Sequence, residues 1–154
     1  MPTRTLYTPT ALEVLTAANL NKLAGGWLGY AEVTADQTGI GTSVTDLTSL
    51  SVTVTVPASR RVRVTGKIIV GAASTPPAVV ELYIRDGSST TLNKSQIRID
   101  AASQDSLMAA WVGTPSPGSN TYKLSALVTA GTFTSAAAAT YPSFILVEDL
   151  GPSS

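Results

Sequence analysis

The sequence predicts an all-β protein: an antiparallel β-sandwich, jelly-roll-like, of about eight strands, preceded by a short N-terminal amphipathic helix. Three observations predict it. Apolar and polar residues alternate with period two over most of the chain after residue 26. Turn signals separate those runs at short, regular intervals. Only residues 10–23 carry helical spacing instead.

The helix comes first. Thr10-Ala11-Leu12-Glu13 fits a capping box, in which the Thr hydroxyl and the Glu carboxylate satisfy first-turn amides. Pro9 suits a helix start, and Thr8 is a rival cap. Leu12, Leu15, Leu20 and Leu23 then fall on one face, spanning about 140° at roughly 100° per residue. Gly25-Gly26 is a natural stop. The chain thus divides into a leader, residues 1–26, and a β body, residues 27–152. Two readings of the leader stay open. It folds back on its own domain, or it anchors the chain to a neighbouring subunit or a larger particle.

The body opens with a strand at Gly29–Ala35, where Tyr30, Glu32 and Thr34 alternate with Ala31, Val33 and Ala35. Asp36 to Thr45 is turn-rich, with Gly39, Gly41 and room for a short strand. Leu50, Val52, Val54 and Val56 alternate with Ser51, Thr53 and Thr55. Pro57-Ala58-Ser59 breaks the run. Val62, Val64, Ile68 and Val70 resume it, with Arg61, Arg63, Thr65 and Lys67 between them. The expectation is an antiparallel hairpin on which the fold is organised, its apolar face covered by a second layer.

Gly71 to Pro77 is a loop, because its two prolines cannot sustain a ladder. Val80, Leu82 and Ile84 make the next strand, and Asp86-Gly87 a turn. Leu92 to Asp100 returns, and Ala101 to Ser106 turns again. Leu107, Ala109 and Trp111 form a strand before the Thr114–Ser119 loop. Tyr122, Leu124, Ala126 and Val128 alternate cleanly. A weak strand is expected around Phe133. Phe144-Ile145-Leu146-Val147 is apolar on both faces, as a central or interface strand is.

Composition narrows the function. Ten basic and ten acidic residues cancel, so no field favours nucleic acid or an anionic membrane. Charged residues are 13% of the chain, about half the usual share, which suits packing into an assembly. Cys and His are both absent, which removes thiolate chemistry and the commonest general base and metal ligand. The expectations are no catalytic set, no cofactor and no metal. The N-terminus does not read as a secretory signal, and no apolar run is long enough to span a membrane. The expected partners therefore include neither nucleic acid nor membrane, and the protein is expected to be made and kept soluble inside a cell until it joins something.

Few residues are candidates for chemistry. Glu148-Asp149 is the one adjacent carboxylate pair and reads as a solvated strand end. Arg60, Arg61 and Arg63 form a basic cluster that pairing with acidic neighbours explains. Gly39-Ile40-Gly41 lacks the Lys and helix of a phosphate loop. Trp27, Tyr30, Tyr83, Trp111 and Tyr122 read as core or interface anchors, or as the lining of a sugar site.

Two segments resemble a known class. Glu13-Val14-Leu15-Thr16-Ala17-Ala18-Asn19-Leu20-Asn21 is similar to the opening of tailed-phage fibre and virion appendage proteins. Gly26-Trp27-Leu28-Gly29-Tyr30 and Phe144 to Pro152 resemble minor tail or head-decoration proteins of actinobacterial phages. The resemblance implies a virion structural protein, a capsid decoration, head-fibre or minor tail component, assembled in the host cytoplasm. It implies a homotrimer docked on capsid or tail proteins through the leader. The candidate anchoring and interface residues are Leu12, Val14, Leu15, Leu20, Leu23, Trp27, Phe144 and Leu146. The alternative is a module that binds host-surface glycan through its loops and aromatics.

Overall fold

The computed structural model describes residues 25–100 and 104–153. Those residues form ten strands and no helix. In chain order they are β1 (Trp27–Val33), β2 (Gln37–Ile40), β3 (Thr45–Val56), β4 (Arg60–Ala73), β5 (Ala78–Asp86), β6 (Thr91–Ile99), β7 (Asp105–Gly113), β8 (Gly118–Val128), β9 (Phe133–Ala136) and β10 (Ser143–Pro152). All pairings between them are antiparallel.

β4 is the backbone of a six-stranded sheet. β7 runs along one of its edges from Val62 to Val70. The other edge is shared: β10 pairs with Arg60–Lys67, and β9 with the stretch from Ile69 to Ala73. β1 lies outside β10, and β2 outside β9. The second sheet has four strands in the order β3-β8-β5-β6. The inner faces meet in one core. Val62, Val64, Ile68, Val70, Ile145 and Val147 come from the first sheet; Val52, Val54, Val56, Val80, Leu82, Ile84 and Leu124 come from the second. Full burial of each such side chain contributes about 1.5–3 kcal/mol. Gly66 faces inward on β4, where Leu124 from the opposite sheet lies against its backbone; any Cβ there would collide with that leucine.

The hairpin expected at 50–70 does not form. β3 pairs with β8 and β4 pairs with β7, β9 and β10, so the two strands lie in different sheets. Pro57-Ala58-Ser59 carries the chain across the sandwich instead. Ser59 takes the left-handed region, with φ of 58°. The physical reason for the error is simple. Alternation specifies a buried face, not the neighbour beside it, and two apolar faces are satisfied equally well across the core.

Other boundaries move less. The first strand runs Trp27–Val33, two residues earlier than the alternation implies. β3 starts at Thr45, and an irregularity between Asp46 and Ser51 resets its phase, with Ser49 at φ 62°. That break brings both Leu47 and Leu50 inward, although a regular strand would put them on opposite faces. β2 and β9 raise the expected count of strands. The leader helix lies outside the described residues.

A buried ion pair closes the sandwich at the crossing. Arg60 and Asp149 are both buried, and the Arg60 Nε donates to both carboxylate oxygens at 3.1 and 2.9 Å. The Gly151 N–H adds a bond to Asp149 Oδ1 at 2.8 Å, and the Ser153 N–H reaches Ser59 O at 2.7 Å. The last strand is thereby tied to the first residue of β4.

Candidate functional site

The outer face of the six-stranded sheet is assembled by strand register. One row across it reads Tyr30, Leu146, Thr65, Ala110. The next reads Glu32, Phe144, Lys67, Met108, and a third reads Trp27, Glu148, Arg63, Val112. Successive residues on a strand point to opposite faces, so the second apolar set on β7 and β10 must point outward. Trp27 is 71% exposed and Met108 53%; Tyr30 and Val112 are also exposed. The rings touch in series, Trp27 on Tyr30 at 5.7 Å and Tyr30 on Phe144 at 5.9 Å between centroids.

The polar groups on this face are largely answered within it. The Tyr30 hydroxyl donates to Glu32 Oε2 at 2.6 Å. That bond, with lesser help from desolvation and the Glu32 charge, pushes the phenol up to about 12. Arg63 holds Glu148 Oε2 at 2.8 Å. A surface of aromatic, Met and aliphatic side chains around self-paired charges has the make-up of a protein interface.

Trp27, Phe144 and Leu146 are thus brought together on one face. Leu12, Val14, Leu15, Leu20 and Leu23 lie outside the described residues. The sequence reading misses Met108 and Val112. Their signal is present: Met108, Ala110 and Val112 alternate with Leu107, Ala109 and Trp111, so β7 is apolar on both faces.

A second feature is a cleft of about 530 Å³ at one end of the sandwich. Asp86, Trp111, Ser116, Asn120, Thr121 and Tyr122 are among its walls. Trp111 comes from one sheet and Tyr122 from the other, with ring centroids 5.9 Å apart. The Trp111 ring folds over Gly113, where a Cβ would strike it. The Tyr122 hydroxyl is buried and has no hydrogen-bond partner. Burial, then the Asp86 charge, raises its pKa. The five aromatics grouped in the sequence therefore separate. Trp27 and Tyr30 sit on the outer face, Trp111 and Tyr122 in the cleft, and Tyr83 on the opposite sheet beside Glu81 and Lys94.

Glu148-Asp149 is not a solvated strand end. The two carboxylates point to opposite faces of β10, Glu148 outward to Arg63 and Asp149 inward to Arg60. Each is committed to a guanidinium. Among the described residues, no group of three or more His, Cys, Asp or Glu side chains is placed to hold a metal ion.

No protein-family model and no curated protein matches the chain. Solved structures do. The chain is similar to the Eiger TNF of S. frugiperda, at 14% identity and a TM-score of 0.54, covering 84% of this chain and 96% of that one. It is also similar to the VP2 subviral particle of infectious bursal disease virus, at 10% identity and 0.45, covering 80% of this chain and 32% of that one. The CBM22-1 xylan-binding domain of Paenibacillus barcinonensis Xyn10C is matched at 16% identity and 0.36, over 83% of this chain and 97% of that one. At such identity the first match shows the jelly-roll-like fold alone. The other two, under 0.5, carry no argument.

Proposed function

We propose that this chain is a virion structural protein of a tailed phage, a capsid decoration, head-fibre or minor tail component. Its sandwich assembles as a homotrimer through the outer face of the six-stranded sheet, and its leader docks on capsid or tail proteins. The observation that carries the assembly is that face: aromatic, Met and aliphatic side chains in the open, around charges already paired to each other. The phage assignment is supported by the resemblance of Glu13–Asn21 and of the segments at Trp27 and Phe144.

The layout of the face favours a cyclic contact. The aromatics lie on β1 at one edge, and Met108 and Val112 on β7 at the other. Packing one edge against the opposite edge of the next copy is a head-to-tail contact, which gives a ring of three when each step turns by a third of a circle. Thioether on aromatic ring is a favourable pairing there.

Light scattering coupled to size-exclusion chromatography tests the assembly. The expected mass is that of three chains; a monomer at micromolar concentration overturns it. Removing residues 1–24 tests the docking, and the cut must stop there because the Gly26 carbonyl accepts the Asp149 N–H at 3.1 Å. The truncated chain is expected to remain folded and to lose its hold on the particle.

A further inference from the structure

We propose that the cleft at the 86–90 and 114–119 end of the sandwich is a binding subsite for one sugar unit of an uncharged or amino-sugar glycan. The inference is independent of the assembly above, because it uses the interior edge of the two sheets and not the outer face.

Size and chemistry select the ligand. A volume of about 530 Å³ lies in the range of small-ligand sites. None of the residues lining the cleft is basic, and Asp86 is the acidic one. Phosphates, sulfates and carboxylates therefore find no counter-charge and one repelling carboxylate. A polyhydroxylated ring meets the opposite situation. The Trp111 indole is one wall, a group of the kind that packs on the C–H face of a sugar, and Ser88, Ser116, Ser119, Asn120 and Thr121 add hydroxyl and amide groups.

The polar groups are positioned before any ligand arrives. The Asn120 amide N–H₂ donates to Ser116 O at 2.9 Å and to Gly118 O at 3.0 Å. This fixes the loop and leaves the amide oxygen as an acceptor. Asp86 Oδ1 accepts the Thr90 N–H at 2.8 Å, which holds the hairpin turn and leaves the other oxygen for a ligand hydroxyl. The Tyr122 phenol lies deeper, on a side chain only 2% exposed. A buried hydroxyl with no partner is costly, so native proteins keep few of them. Here the hydroxyl is sealed beneath the cleft, so Tyr122 offers a ligand its ring and not its oxygen.

The test uses the full chain carrying Trp27→Phe, in which Trp111 is the sole indole. An array of neutral and amino-sugar oligosaccharides selects the probe, which is then titrated against Trp111 fluorescence. A saturable change in emission is expected, weakened about fivefold or more by Asn120→Ala and by Asp86→Asn. Two variants are used because Asn120→Ala also loosens the loop, whereas Asp86→Asn keeps an oxygen for the Thr90 N–H and alters only the group left for the ligand. Circular dichroism establishes that both are folded. Three results overturn the proposal: no array member moves Trp111 at millimolar concentration, binding is indifferent to both variants, or adenosine monophosphate binds as well as the sugars.

Discussion

The two outer faces of the sandwich are built from strands of the same period and end up unlike. The face of the four-stranded sheet is a mesh of polar bonds. Asp46 accepts Lys123 Nζ and Ser125 Oγ, both at 2.6 Å, and these bonds hold its carboxyl below the ordinary range. Glu81 takes the Tyr83 hydroxyl and Lys94 Nζ, with the same downward effect. Thr53 and Thr121 share a hydroxyl bond at 2.8 Å. Such a face satisfies itself and is stable in water. The face of the six-stranded sheet has rings, a thioether and aliphatic groups in the same positions, with fewer polar groups to answer them. Sequence alternation builds both faces inward; what differs is the set of residues left over. That remainder is what sets the two faces apart.

The sharpest separation is between charges inside and outside. Asp149→Ala takes the paired carboxylate away from the buried Arg60 and is expected to cost about 3 kcal/mol. Asp46→Ala breaks a larger network on the polar face, but its carboxylate is about half exposed, and the loss is expected to stay within about 1 kcal/mol. Urea unfolding of both variants measures the difference. Equal losses would mean that the polar mesh is structural and the contrast false.

The next prediction concerns assembly. Leu146→Glu places a charge beside Tyr30 in the middle of the apolar face, and is expected to raise the dissociation constant of the trimer roughly thirtyfold or more. Thr53→Glu, the matched change on the polar face, is expected to leave the mass unchanged. Light scattering at graded concentration reads both. Trimers in both variants would move the interface elsewhere.

How much of this is legible beforehand depends on whether a feature lies within one strand or between strands. The inward rows of Val52, Val54 and Val56, or of Tyr122, Leu124, Ala126 and Val128, are plain because alternation is a property of one strand. The sheet to which a strand belongs is not, and so β3 and β4 read as partners when they are opposed. Arg60 and Asp149 are 89 residues apart, and nothing local marks their pairing. The cleft is hidden for the same reason, since Trp111 and Tyr122 meet only when the sheets close. The apolar face is half legible. Phe144 and Leu146 stand out in a run apolar on both sides, but Met108 and Val112 pass as filler around Trp111.

A smaller effect compares the phenols. Tyr30 and Tyr83 give their hydroxyls to Glu32 and Glu81, whereas the Tyr122 hydroxyl has no partner. Tyr122→Phe removes a buried unsatisfied group and is expected to stabilise the unliganded chain by about 1 kcal/mol. Tyr83→Phe removes a satisfied one and is expected to be neutral or destabilising. Thermal unfolding, run without sugar, reads the opposite signs. A loss in Tyr122→Phe would show that its oxygen is already well served in the folded chain.

The finest test uses the two tyrosine–glutamate pairs as probes, one on each face. Both phenols are pushed up from 10.0 to about 12, Tyr30 mainly by its bond to Glu32 and Tyr83 mainly by burial. Both shifts are upward, so the unfolded chain loses these protons first. Their contribution to stability is complete below pH 10 and falls as pH climbs towards about 12. In the wild-type chain diluted until it is monomeric, ultraviolet titration is expected to ionise the two together. The proposed trimer would cover Tyr30 with a second copy and leave Tyr83 facing water, so at concentrations where it forms Tyr30 is expected to ionise later. Tyr30→Phe and Tyr83→Phe identify which step belongs to which residue. Tyr30 ionising no later in the wild-type assembly would mean that its face stays open to solvent there, and the neighbouring copy would have to bind through another surface.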